Sequence, residues 1–164
     1  MASKISAGLL LYRFSKGQLQ ILLAHPGGPY WNSKDLGAWT IPKGEADTDE
    51  ALYAAARREF TEETGYDPQG IPVPLGSVRQ TSGKVVWAWA LEEDWDPHQL
   101  VSTSFEMPWP PKSPTMQSFP EIDRAEWFNL DIAREKILKA QLPFLDRLEK
   151  ITSTGFDDRN VDPA

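Results

Sequence analysis

Cysteine is absent from the 164-residue chain, which removes disulfides, thiolate zinc sites, iron–sulfur clusters and a cysteine nucleophile together. Histidine is scarce, at two residues. His25 and His98 each stand beside a proline, have no partner histidine at ligand spacing, and read as surface-loop residues. Long apolar runs are missing too: nothing approaches the ~20 residues of a bilayer-spanning helix, and ISAGLLLYR near the N-terminus is too short for a secretory signal. A cytoplasmic protein with no membrane partner is expected. Positive charge is in deficit, with 17 Lys and Arg against 24 Asp and Glu and a net charge of −7, so duplex nucleic acid is disfavoured as a partner. An acidic protein still accommodates a small phosphorylated ligand where divalent cations supply the positive charge. Other chemistries lack their motifs: there is no G-x-S-x-G elbow, no GxxxxGK(S/T) loop, and no Asp-rich EF-hand loop.

What is present fits one globular domain, with 40% hydrophobic and 25% charged residues and a length inside the usual single-domain range. Residues 1–151 are assigned to it, and 152–164, rich in Ser, Thr, Asp and Gly, to a flexible C-terminal tail. Residues 5–13 and 19–24 are apolar runs separated by SKG, a pattern for two neighbouring strands. HPGGPYWNSKD (25–35) reads as a loop and 38–41 as a short strand. Residues 47–64 lack Gly and Pro; Asp47 followed by Glu50 has capping-box character, and Gly65 supplies a stop, so a helix is predicted there. Strands are expected over 71–80 and 84–92. The second has apolar residues on both faces, which predicts burial on both sides, with Trp87 and Trp89 in the core. Residues 102–120, with five prolines and no periodicity, read as a long functional loop. AEWF is a short strand, and DIAREKILKA with PFLDRLEKI a closing helix interrupted at Pro143. The sum is an α/β domain of the α+β type.

On a helical wheel Leu52, Ala56, Glu59 and Glu63 fall in one row, with Glu62 beside it. The face that is apolar in the first half of the helix thus turns acidic in the second. Carboxylates crowded at i, i+3 and i+4 repel unless a cation lies between them. Oxygen donors on a rigid helix suit magnesium, or manganese, which complete their shells with water and substrate phosphate. Upstream, Pro42–Glu45 forms a loop where Gly44 lets backbone approach a ligand and Lys43 offers positive charge to phosphate.

The spacing of GEADTDEALYAAARREFTEETGY sharpens this. Gly44 is followed after five residues by Glu50, and after seven more by Arg58, Glu59, an apolar Phe60, Glu62, Glu63, Gly65 and an apolar Tyr66. The segment resembles the Nudix box at every defined position. Seven fixed identities at fixed spacing arise by chance on the order of once in a million chains of this length, which outweighs the alternative of a merely solvated charged helix. The resemblance spans residues 5–150 and implies a mixed β-sheet sandwiched between helices. It implies an enzyme that hydrolyses acid anhydrides, splitting a pyrophosphate bond in a nucleoside diphosphate-linked compound with magnesium. It also implies roles: Glu59 and Glu63 as main metal ligands, Glu62 as a further ligand or the base, and the Lys43 carbonyl as a ligand. Arg58 would orient a carboxylate and Glu50 brace the loop.

The same resemblance implies one more carboxylate beyond the box, six residues before a late-strand Trp. That is Glu121 before Trp127, with Glu106 as competitor. The sub-signatures for ADP-ribose and diadenosine polyphosphate enzymes do not match, and a nucleoside triphosphate or dinucleoside polyphosphate is the expected small nucleotide partner. Tyr30, Trp31, Phe105 and Trp109 lie in Pro-rich loops and are candidates to stack on a base. Within 102–120, Trp109 and Lys112 are the expected substrate contacts, aromatic on the base and cation on the distal phosphate. The rival expectation is a catalytically silent Nudix-fold module that senses a nucleotide without cleaving it.

Overall fold

The computed structural model describes the backbone of residues 5–161 and the side chains of residues 5–153. The two N-terminal apolar runs form a hairpin: β1 (Ile5–Ser15) and β2 (Gln18–Pro26) pair antiparallel across Lys16–Gly17, both at positive φ as a tight hairpin turn requires. A short β3 (Lys43–Glu45) pairs with the start of β1, and α1 (Leu52–Thr64) follows. Then come β4 (Val73–Arg79), β5 (Val85–Glu92), β6 (Ser104–Pro108), β7 (Met116–Pro120), β8 (Ile122–Asn129), α2 (Leu130–Lys136) and α3 (Leu142–Val161). The main sheet has the order β4-β5-β1-β2-β8, with β3 added to β1. β1 and β5 run parallel while the other pairs are antiparallel, so the sheet is mixed as expected.

Alternation along the central strands sends apolar side chains to both faces. Ala7, Leu9, Leu11 and Leu22 meet Ala55, Ala56 and Phe60 of α1 on one side. Leu10, Ile21, Leu23 and Ala88 meet Ala133 of α2 and Phe144, Leu145 and Leu148 of α3 on the other. The sheet is therefore sandwiched between helices. Arg147 of α3 donates to the carbonyls of Leu75 and Ser77, which occupies the outer edge of β4.

Six expectations need correction. Residues 38–41 form no strand but only isolated bridges at Trp39 and Thr40, and Lys43–Glu45 of the expected Pro42–Glu45 loop is the strand β3. The helix begins at Leu52 and not at Asp47: the Asp47 amide does donate to the Glu50 carboxylate at 3.0 Å, but that pair closes a turn in the loop ahead of the helix. Residues 102–120 are not an aperiodic loop. They fold into the antiparallel hairpin β6–β7, with Ser104 opposite Pro120 and Pro108 opposite Met116. AEWF is the middle of the eight-residue β8. Trp87 is 37% exposed and Trp89 only half-buried against Tyr53, because α1 lies over β1 and leaves that side of β5 largely open. Gly65 does end α1, in the left-handed conformation at φ 80°. α3 starts at Leu142, next to Pro143. Most of the tail expected from Thr152 lies outside the described side chains.

Candidate active site

The acidic row of α1 faces β3. The Lys43 amide donates to Glu63 Oε2 at 3.0 Å. Glu59 packs on Gly44 so closely that a Cβ there would overlap its carboxylate and push it aside, so the glycine lets the carboxylate lie against the backbone. Arg58 stands between the carboxylates. It grips Glu50 with two bonds of 2.9 Å, donates to Glu59 Oε1 at 2.9 Å, lies 3.4 Å from Glu62, and donates to the Glu45 carbonyl at 3.1 Å. Loop, strand and helix are thereby fastened at one guanidinium.

Burial decides the electrostatics. It is the main cause pushing the Glu63 carboxyl up to about 8, with the Glu59 charge adding to it and Lys43 opposing. Burial likewise raises Glu59, against the pull of Arg58. The Arg58 bonds hold Glu50 down to about 2, helped by the Asp47 amide. Burial and then the neighbouring Lys84 lower the Lys43 ammonium. Two carboxylates one helical turn apart, each held partly out of water, are a donor set that a hard divalent cation compensates. Among the described residues no group of three or more carboxylate, imidazole or thiol side chains converges so as to hold a metal ion.

Beside this row lies a cleft of about 230 Å³ lined by Gly27, Gly28, Tyr30, Trp31, Phe105, Met107 and Glu121, among others. Its two walls are the loop after β2 and the inner face of β6. Glu121 closes the end toward the acidic row, near enough that its charge adds to the upward push on Glu63. Alternation along β6 turns Phe105 and Met107 inward and leaves Glu106 exposed on the opposite face. Trp109, at the end of the hairpin, meets Tyr30 edge-on with ring centroids 5.4 Å apart, and so touches the cleft through Tyr30. Lys112 is exposed in the hairpin turn and is not among the cleft's lining residues.

His25, expected on the surface, is fully buried. Its Nδ1 lies 2.8 Å from Asp123 Oδ1 and its Nε2 2.6 Å from the Lys34 carbonyl, with Trp39 edge-on beside it. The signal was present: Leu19, Ile21 and Leu23 alternate onto the face under α2 and α3, and His25 continues that series. His98 is exposed as expected, its side chain 95% accessible.

The comparisons agree with this fold. Solved structures with the same fold include the NUDIX domain of Shewanella oneidensis NrtR complexed with ADP ribose, at a TM-score of 0.64 and 18% identity over 93% of this chain and 90% of that one. A C. elegans Ap4A hydrolase binary complex matches with a TM-score of 0.61 and 22% identity, covering 92% of this chain and 98% of that one. A mutT/nudix family protein from Listeria innocua gives 0.62 and 16%, over 95% and 98%. No curated protein sequence matches. The sequence model of the NUDIX domain matches residues 2–148, nearly the whole chain, and on that match the chain belongs to the NUDIX domain family.

Proposed function

We propose that the chain is a magnesium-dependent hydrolase, manganese being a substitute, that splits a pyrophosphate bond in a nucleoside diphosphate-linked compound. A nucleoside triphosphate or a dinucleoside polyphosphate is the best candidate. The observation that carries this is the inward row of Glu59 and Glu63 set against the Lys43–Gly44 backbone, with an aromatic cleft opening beside it at Glu121. A cation bound there would lower the pKa of attacking water and neutralise phosphate oxygens. Glu59, Glu63 and the Lys43 carbonyl would hold it, Glu62 adding a further donor or accepting the water's proton. Arg58 keeps Glu59 turned toward Gly44, and Glu50 keeps Arg58 in place. Glu121, between cleft and acidic row, would act on the same reacting group. The cleft walls would hold the base by stacking, which tolerates any purine or pyrimidine face.

The solved relatives with ADP ribose or named for Ap4A support a nucleotide with at least two linked phosphates as the ligand class. The test is a panel of nucleoside triphosphates, dinucleoside polyphosphates and nucleotide sugars with millimolar magnesium, scored for released phosphate or pyrophosphate. Binding without turnover on every member would instead identify a sensing module.

A further inference from the structure

The ring of His25 makes contacts that the chemistry above does not use. Nε2 lies 2.6 Å from the Lys34 carbonyl; a carbonyl only accepts, so Nε2 carries a proton. Nδ1 lies 2.8 Å from Asp123 Oδ1; against an ionised carboxylate, which only accepts, Nδ1 carries a second proton. Trp39 packs on the ring, its own Nε1 donates to Asp35, and the Arg124 guanidinium lies over it, so the ring has no room to turn.

Strand register shows why Asp123 reaches this position. His25 of β2 pairs with Arg124 of β8, but Pro26 pairs with Ile122, which leaves Asp123 as the extra residue of a β-bulge. In a regular ladder Asp123 would share the face of Ala125 and point away from His25. The bulge turns it back, a use of irregular strand geometry that recurs beside active sites. One residue further on, the chain is held as closely. The Gly27 amide donates to the Glu121 carbonyl at 3.0 Å, the Glu121 amide donates to Thr103 at 2.8 Å, and a Cβ on Gly27 would overlap the Pro120 carbonyl oxygen.

We propose that the buried His25 and the solvent-edge Asp123, whose side chain stays 28% accessible, form a clamp that positions Glu121 and the Gly27–Tyr30 wall of the cleft, tying the start of β8 through the ring to the Lys34 end of the loop after β2. It rests on placing Glu121 in the hydrolytic site. His25 and Asp123 are positioning residues, since neither lines the cleft and both act through Glu121 and the wall. Asp123→Asn keeps size and shape but can offer its amide to Nδ1, so the second proton is lost.

The test has two parts. With only two histidines in the chain, a spectrum of ¹⁵N-histidine-labelled protein resolves His25. The wild type should show protons on both of its ring nitrogens, and Asp123→Asn only the one at Nε2. One ring proton in the wild type would overturn the clamp. For function, Asp123→Asn and His25→Gln should each lower kcat at least tenfold with a melting temperature within a few degrees of wild type. Glu121→Gln combined with Asp123→Asn should lose no more kcat than Glu121→Gln alone, the wall being read in KM. Normal kcat and KM in a folded Asp123→Asn enzyme, or kcat losses that multiply with Glu121→Gln, would overturn the positioning role. Should Asp123→Asn fail to fold, His25→Gln decides. A wild type inert on every nucleotide would remove the proposed function, while the two ring protons would still decide the clamp.

Discussion

On the proposed function, Glu63 and Glu59 sit where a wrong residue costs chemistry more than packing. Replacing either by Gln removes charge from the row but no apolar contact, so turnover should fall on the order of 100-fold or more while the melting temperature stays near wild type. Both kinetic constants and a melting curve on each variant check this. Gly44→Ala should act like a milder version of Glu59→Gln, because the new methyl displaces the Glu59 carboxylate. Glu50 gives a pH prediction. Its carboxyl is held below the usual 4.5, at about 2, by Arg58 first. A depressed carboxyl contributes stability above 4.5 that is lost as pH falls through 2. Wild-type denaturation midpoints should therefore drop over that window more steeply than those of Glu50→Gln, and parallel pH profiles would contradict the Arg58 pairing. At this scale most of the acidic row was legible, because a Glu at a fixed helical spacing needs no distant partner to be placed. His25 was not, because its role depends on Lys34 and Asp123, the latter 98 positions away.

At the scale of elements, α1 delivers its carboxylates because Ala55, Ala56 and Phe60 bury against the sheet. Phe60→Ala should cost about 3–5 kcal/mol, seen as a lower denaturation midpoint, and so disturb the site through the fold. The contrast with Glu63→Gln separates packing from chemistry. The hairpin β6–β7 is the element that sequence reading missed. Its strands stand outside the main sheet, mostly exposed, five residues each with prolines at their ends; β6 alternates over only Phe105 and Met107 and β7 does not alternate, too short a pattern to mark a hairpin in a Pro-rich segment. Phe105→Ala should raise KM for the best nucleotide several-fold with little change in kcat, since a stacking contact holds ground and transition states alike. Trp109→Ala should give a smaller effect in the same direction, because Trp109 reaches the cleft only through Tyr30. A larger KM effect for Trp109 than for Phe105 would place the base against the hairpin tip instead.

For the whole molecule, the mixed sheet and its two helical layers bring three sequence-distant parts to one end: the Lys43–Gly44 strand with α1, the loop after β2, and the Pro120–Glu121 corner leading into β8. The order of strands was not legible, since β1 pairs with β5 across some 80 residues and only the folded sheet shows it. If magnesium binds the folded carboxylate row and not the unfolded chain, as proposed, it should raise the melting temperature. The most direct test of the central claim is product release measured side by side for the wild type and Glu63→Gln, over the nucleotide panel, in millimolar magnesium and in excess chelator. The account predicts turnover of at least one nucleotide by the wild type, its loss in chelator, and on the order of 100-fold less with Glu63→Gln. Turnover that survives chelator, or equal rates for both proteins, would contradict it.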